Sequence, residues 1–330
     1  MNEETFDTKA SLEDICACFR LLLGRAPGEA ELAAHAINVG ADLGGLVRNF
    51  LGSREFRDRF GSDAEPLLVE MDGYALYADP ADAAVGAHVA ARRYEPGVAA
   101  LLRRILRPGM TMLDLGANIG TLSMLAASVV GPTGFVLAVE PSVANIRLLE
   151  ASRRRNGFSQ LAILLCAAGR ERGLLELRRA HSNGATNALG GDPAEWHAAE
   201  IVPALPLPAL WPSGRRLDVV KADIEGAEFA VFDAARDFLR AAQPLVISEF
   251  SPAMLAANSG VSGADYLRLF AGLGYRAAIV EGDRCTTPAS PEAILSHPGV
   301  AGDGHIDLLF TPARSWRTRF GTIRFKNGSR

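Results

Sequence analysis

Cysteine is scarce in this 330-residue sequence. The four present, Cys16, Cys18, Cys166 and Cys285, share no C-x-x-C or other zinc-like spacing, so neither a disulfide framework nor a zinc site is implied. No run of about 18 apolar residues occurs, which leaves no candidate for a membrane-spanning helix. The first residues, MNEETFDTKA, are acidic and polar rather than basic and then apolar, so no secretory signal is expected and the cytoplasm is the expected compartment. Positive charge is not in excess either. With 34 Lys and Arg against 38 Asp and Glu the formal net charge is −4, which argues against a general nucleic-acid binder. The exception is the end, where Arg317, Arg319, Arg324, Lys326 and Arg330 stand without an acid between them. Such a tail could touch phosphate or membrane, but a frayed, solvated segment is the simpler expectation.

What remains is ordinary globular composition, 48% hydrophobic and 22% charged, without a convincing internal repeat. The length suits one large domain and a smaller one. In SLEDICACFRLLLG, Leu12, Ile15, Phe19 and Leu22 recur at helical steps behind Ser11 as a cap. A helix restarts at Ala26-Pro-Gly-Glu29, and residues 43–60 offer Leu46, Phe50 and Phe56 as a further buried face. Residues 1–61 are thus expected to form a helical bundle, with the domain border near 61–66. After a helix at about 95–107, strands and helices alternate: MTMLDLG, helix 119–130, GFVLAVE, helix 142–156, LAILLCAA, a hairpin near 174–179, DVVKADI, helix 226–239, PLVISEF, helix 263–273, RAAIVEG and HIDLLF. This alternation predicts an α/β fold with a doubly wound, mostly parallel sheet. LAILLCAA is apolar throughout, as a strand covered on both faces should be.

Ligands in such sheets bind beyond the carboxyl ends of the strands, so the loop after the first strand, Asp114-Leu-Gly116-Ala117-Asn118-Ile-Gly120, is the expected cofactor loop. Gly116 permits a tight turn and Gly120 close packing of the next helix. A dinucleotide fingerprint wants glycine also at steps three and six, where Asn118 and Thr121 stand instead. Asp114 suits the ammonium, or ordered waters, of an aminocarboxylate ligand. Glu140, 24 residues after Gly116 and at the end of the second strand, can accept from ribose hydroxyls, although it also reads as a helix-start acid. The small residues Cys166, Ala167, Ala168 and Gly169 at the third strand's end leave room for an adenine ring, or simply pack. Asn156 before Gly157 reads as a helix-end cap.

A second constellation, DVVKADIEGAEFAVFDAA at 218–235, carries Lys221, Asp223, Glu225 and Glu228 from a strand into a helix. Alternation puts Lys221, Asp223 and Glu225 on one side. Asp223 or Glu225 could deprotonate or orient an acceptor; Glu228 reads as a first-turn helix acid. His181, in a lid-like stretch, could reach an acceptor hydroxyl, whereas His197 reads as a surface or hydrogen-bonding histidine and the pair His305 and Asp307 as structural. No metal site is expected, although carboxylates at 223 and 225 are ligands that hard cations prefer.

LDLGANIGTLSMLAASVVGPTGFVLAVEP, followed about 80 residues later by VVKADIEGAEFAVF, resembles the FkbM family of methyltransferases over roughly residues 72–312. Tyr94-Glu95-Pro96, the GPTG turn at 131–134 and Ser248-Glu249-Phe250 support the likeness. It implies a class I, Rossmann-like methyltransferase fold at 62–312, S-adenosyl-L-methionine as donor, and transfer to a hydroxyl on a sugar, glycolipid or polyketide-like acceptor. Carried over by motif, Asp114, Gly116, Ala117, Asn118 and Gly120 would line the methionine part of the cofactor. Glu140 and Pro141 would face its ribose, with Ala167 and Ala168 beside the base. Tyr94 and Glu95 would close over the methionine end, with Asp223 and Glu225 toward the reaction and His181 behind them as catalytic candidates. The acceptor is expected to be a small molecule, glycan or lipid-linked group, not a nucleic acid. The N-terminal segment resembles a short bacterial helical module of unknown function, a candidate for docking a protein partner, and 313–330 is the basic tail. Two rivals stand: an NAD-type oxidoreductase, and a non-catalytic binding module.

Overall fold

The computed structural model describes residues 9–23, 25–51, 53, 55–56, 65–179, 186–187, 198–282, 284–286, 288–313 and 325–326. They fall into two units, Met1–Glu65 and Pro66–Arg330. In the first, Ser11 opens α1 (Leu12–Leu22) with a capping box: its hydroxyl accepts from the Asp14 amide, and the Asp14 carboxylate accepts from the Ser11 amide. Helices α2 (Glu29–His35) and α3 (Leu43–Leu51) follow. Ile15, Phe19, Leu46 and Phe50 close a small core, with Leu22 and Phe56 at its edge and Leu12 exposed. Arg25 forks between two acids, Nη2 lying 2.6 Å from Glu31 and 2.7 Å from Glu55, and so ties the turn before α2 to the segment after α3.

The second unit begins with a hairpin that the hydropathy pattern does not announce, β1 (Leu67–Glu70) and β2 (Ala75–Ala78), followed by α4 (Gly86–Ala90) and α5 (Pro96–Ile105). Next come β3 (Thr111–Leu115), α6 (Thr121–Val130), β4 (Phe135–Glu140), α7 (Val143–Asn156) and β5 (Leu161–Leu165). A side sheet holds β6 (Ala167–Ala168), β7 (Gly173–Arg179), β8 (Thr186–Asn187) and β9 (Ala198–Leu205). The chain returns through β10 (Val219–Ala222), α8 (Glu228–Ala234), α9 (Arg236–Ala242), β11 (Leu245–Phe250) and α10 (Gly263–Gly272). It finishes with β12 (Tyr275–Glu281), β13 (Arg284–Thr286), β14 (Ile306–Pro312) and β15 (Phe325–Lys326).

The main sheet runs β5-β4-β3-β10-β11-β14-β12, with β13 and β15 added beyond β12. The β5 to β11 pairs are parallel, while β14 is antiparallel to both neighbours. Counted in chain order without the edge ribbon, this is 3-2-1-4-5-7-6. The dinucleotide fold's six-strand order is 3-2-1-4-5-6. The inserted antiparallel last strand sets this sheet apart from the dinucleotide fold, as the resemblance to a class I methyltransferase implies. Side chains alternate across it: Leu113, Leu137, Val220 and Val246 face α8 to α10, whereas Met112, Val136, Val219 and Leu245 face α5 to α7. Asp114 and Lys221, two steps from Met112 and Val219, share the second face.

Several expectations change. LAILLCAA is two strands, because after Leu165 the chain leaves the main sheet and Ala167–Ala168 pairs with β9 instead. Its apolar run does not signify cover on both faces, since β5 is the sheet edge and Leu165 is 43% exposed. The helix expected over 226–239 breaks at Ala235 into α8 and α9. In the basic tail, Phe325–Lys326 pairs with β13, and Arg317, Arg319, Arg324 and Arg330 lie outside the described residues.

Asn156 is not a helix cap in the expected sense. Gly157 takes the left-handed conformation, and the Asn156 side chain grips β2 instead, accepting from the Ala75 amide at 2.8 Å and donating to the Ala75 carbonyl at 2.7 Å. Replacing it strands both backbone groups. Asn156→Ala should therefore destabilise the protein by about 1–3 kcal/mol in urea unfolding, with ligand affinity at the remote cofactor loop unchanged in calorimetry.

Candidate active site

Where β3 and β10 lie side by side the strand order reverses, so a crevice opens beyond their carboxyl ends. A cavity of about 730 Å³, counting the part open to solvent, lies there, within the usual range for small-molecule sites. Of the expected residues, Tyr94, Gly116, Asn118, Glu140, Pro141, Ala167, Ala168, Asp223 and Glu225 line it. Glu95, Asp114, Ala117 and Gly120 do not. Ala117 is buried in the core around α6. His181 and His197 lie outside the described residues. Leu175 and Leu177 also line the cavity. They are alternate residues of β7 and so present one apolar face, a signal visible in LLELR but assigned to no site by sequence reasoning.

Gly116 brings the two sequence motifs into contact. A Cβ there would meet the Asp223 carbonyl oxygen at 1.8 Å, and its φ of +74° is one that only glycine adopts readily. The close approach is thus to the second motif's backbone. Gly120, with φ +90°, caps α6, and a Cβ would strike Leu149 on α7. Three of the non-glycine residues with positive φ also gather at this site: Glu95 (39°), Asn118 (52°) and Glu225 (56°). Surrounding bonds hold them. The Asn118 side chain accepts from the Ile119 amide at 2.8 Å, while the Asn258 side chain donates to the Glu225 carbonyl and the Ser259 hydroxyl to the Gly226 carbonyl.

Glu140 joins both of its expected roles. One oxygen accepts from the Ser142 amide at the start of α7 and from Asn145, and the other accepts from the Asn118 amide at 2.9 Å. It braces the cofactor loop and forms part of the cavity wall. Asp114 is fully buried; one oxygen accepts from Ser123 at 2.5 Å and the other, Oδ1, has no partner. Burial raises its pKa, opposed by Lys221 and the Ser123 bond.

Sequence reasoning missed how much charge converges here. Lys221, 4% exposed, lies 3.3 Å from Asp223 and 3.5 Å from the Gly116 carbonyl. Burial disfavours its charge, yet Asp223, Glu95 and Asp114 outweigh that, so its pKa is raised. Glu249 and Asp307, paired across β11 and β14, join the same field. Desolvation and neighbouring carboxylates push Glu249 up to about 10, Glu225 to about 8 and Asp307 to about 7. Glu95 and Tyr94, sharing a hydrogen bond, are raised as well, again chiefly by burial. His305, read from sequence as structural, lies exposed with Nδ1 3.4 Å from Glu249. Glu228 is the helix-start acid foreseen, but buried: it accepts from the Ile224 amide at 2.7 Å, and desolvation lifts it to about 7. No group of three or more His, Cys, Asp or Glu among the described residues could hold a metal.

Residues 114–277 match the model of the methyltransferase FkbM domain. That segment is a methyltransferase FkbM domain. Its cofactor is accordingly S-adenosylmethionine. No curated protein matches the chain. Among solved structures it is similar to methyltransferase FkbM from Methylobacillus flagellatus KT, with 18% identity and a TM-score of 0.38; that match covers 66% of this chain and 51% of the other, about half its length. Fibrillarin from Aeropyrum pernix with bound S-adenosyl-L-methionine has 16% identity and a TM-score of 0.37, covering 65% and 73%. M. jannaschii TYW2 in complex with AdoMet has 11% identity and a TM-score of 0.40, covering 76% and 88%.

The raised acids bind their protons more tightly folded than unfolded. Their contribution to stability is full below the ordinary carboxylate pKa of about 4.5 and is lost as pH rises through about 7 to 10. The melting temperature should fall from pH 5 to pH 9. Glu249→Gln should flatten that slope in thermal scans at several pH values; an unaltered slope would place Glu249 outside the cluster.

Proposed function

We propose that this protein transfers the methyl group of S-adenosylmethionine to a hydroxyl oxygen of a sugar, glycolipid or polyketide-like acceptor. The observation that carries the reading is one cavity shared by two carboxylate-bearing motifs: Gly116 packs against the Asp223 carbonyl, and Glu140, Asp223 and Glu225 all line the wall. Carboxylates facing a cavity suit a cationic ligand. The ammonium and sulfonium of the donor have that chemistry. The cavity walls fit the remainder: Glu140 and Pro141 toward the ribose, Ala167, Ala168, Leu175 and Leu177 about the adenine. When bound, S-adenosylmethionine supplies an activated methyl on a cationic sulfur.

The protein's own work is then alignment, exclusion of water and management of one proton. Asp223, on the cavity wall and held by Lys221, is the first candidate to orient the acceptor hydroxyl and receive its proton, with Glu225 beside it. His181 stays a further candidate. The four cysteines are free, in keeping with a cytoplasmic site of action, and no helix among the described residues is long and apolar enough to cross a membrane. Residues 1–61 would serve to dock an acceptor-bearing partner. An NAD-type oxidoreductase is disfavoured by Asn118 and Thr121 in the loop and by antiparallel β14 in the sheet.

Calorimetry with S-adenosylhomocysteine tests the reading: binding in the micromolar range is expected, and none at high micromolar concentration would sink it. Glu140→Gln should weaken that binding at least about tenfold, the scale of one lost charge-assisted hydrogen bond. Asp223→Asn should lower turnover by about 10²–10⁴ once an acceptor is in hand; full turnover in that variant would remove Asp223 from catalysis.

A further inference from the structure

The turn that carries Asp223 and Glu225 is gripped from outside by a segment to which the sequence motifs assign no role. Glu225 and Gly226 are both left-handed, with φ of +56° and +87°, so the chain swings sharply between β10 and α8. Their two carbonyls are taken by side chains. The Asn258 amide group donates to the Glu225 carbonyl, and the Ser259 hydroxyl donates to the Gly226 carbonyl at 2.6 Å. Both donors stand in a π-helical turn, Leu255–Ser259, that follows the short helix Pro252–Met254 at the end of β11. Such turns are frequent at functional sites. Leu255, buried in the core, roots the segment, and the Ser251 hydroxyl caps it by accepting from the Met254 amide at 3.4 Å. Backbone also meets backbone, since a Cβ on Gly226 would strike the Met254 carbonyl. The gripped turn is one stretch of the cavity wall: Asp223, Ile224, Glu225 and Ala227 line it beside Gly116 and Asn118 of the donor loop. Lys221 holds the Asp223 carboxylate at 3.3 Å, whereas Glu225 is held through its backbone.

Resting on the methyltransferase reading, we propose that Asn258 and Ser259 are positioning residues of the reaction: by fixing this left-handed turn they aim the Glu225 carboxylate at the methyl that the donor presents. A glutamate keeps a left-handed backbone only where its surroundings over-determine it. With the grip removed, the residue relaxes toward commoner backbone angles. That change rotates its Cα–Cβ bond and takes the carboxylate off the cavity wall, while Asp223 and the donor loop, joined at Gly116, stay in place. Neither Asn258 nor Ser259 lines the cavity, so both act through the turn alone.

The test compares two probes on the full chain by calorimetry at neutral pH. S-adenosylhomocysteine fills the donor site without a methyl. Sinefungin is the same molecule with an ammonium-bearing carbon in place of the sulfur, which puts a positive charge close to where the methyl sits. The wild type should bind sinefungin at least about tenfold more tightly than S-adenosylhomocysteine, and Glu225→Gln should cut that preference to about threefold or less. Asn258→Ala and Ser259→Ala should cut it equally, with S-adenosylhomocysteine affinity within about threefold of wild type, and Ser259→Thr, which keeps the hydroxyl, should restore it. Added to Glu225→Gln, Ser259→Ala should lower the preference no further, because both changes remove the same interaction. Folded variants that keep the full preference, that weaken both probes by the same factor, or that add their loss to that of Glu225→Gln overturn the proposal. So does a wild type that binds both probes alike. Should Asn258→Ala not fold, Ser259→Ala and Ser259→Thr decide. A wild type that binds neither probe defeats the methyltransferase reading instead, a result distinct from the others.

Discussion

The contact between Gly116 and the Asp223 carbonyl is the constraint on which the site depends. It joins the ends of β3 and β10, adjacent parallel strands at the point where the winding reverses, and no side chain larger than hydrogen fits between them. Because the two backbones touch, the loop that carries Asn118 and the turn that carries Asp223 and Glu225 move as one piece. Everything charged then has to be accommodated around that junction. Lys221 and Asp114 are buried because the junction is buried, with Glu95 half-buried beside them, and their mutual neutralisation follows from geometry that two apolar layers impose on either side of the sheet.

The sheet was largely legible in the sequence because a parallel sheet writes itself as separate apolar runs between helical periods. MTMLDLG, GFVLAVE and PLVISEF became β3, β4 and β11 with little shift. What was not legible depends on pairing. Whether LAILLCAA is one strand or two is decided by β9, some forty residues further on, which captures Ala167 and Ala168 for another sheet. The β1–β2 hairpin is short: Val69, Leu76 and Ala78 give it a small apolar face, and Asn156 and Ser152 of α7 add polar bonds to β2. Such docking leaves no periodic trace.

The site divides in the same way. Asp114, Gly116, Glu140 and Asp223 could be named because they end strands whose order implies a crevice. Glu249 and Asp307 could not be read as neighbours, since only the antiparallel register of β11 and β14 puts them opposite each other. Their sequence contexts, ISEF and HIDLL, each look like a strand with a pair of ordinary polar residues. Glu225 was named, but its left-handed backbone was not foreseeable in a residue type that seldom adopts it; bonds from the π-helical segment Leu255–Ser259, Asn258 to the Glu225 carbonyl and Ser259 to that of Gly226, support it.

Backbone strain and surplus negative charge occur at the same few residues, and the coincidence has a physical basis. Both cost free energy in the folded protein, and both are tolerable only where a rigid scaffold over-determines the conformation. Here the scaffold is the β3–β10 junction with helices packed on both faces. The raised acids around it bind protons that they would release if a positive charge entered their field, so a cationic ligand and the folded site stabilise each other through the same linkage that makes the unliganded protein sensitive to pH. A donor bearing a sulfonium and an ammonium is matched to such a field. On the proposed reaction the sulfur would be neutral once the methyl has left, and the attraction that drew the donor in would be reduced for the product in the same pocket.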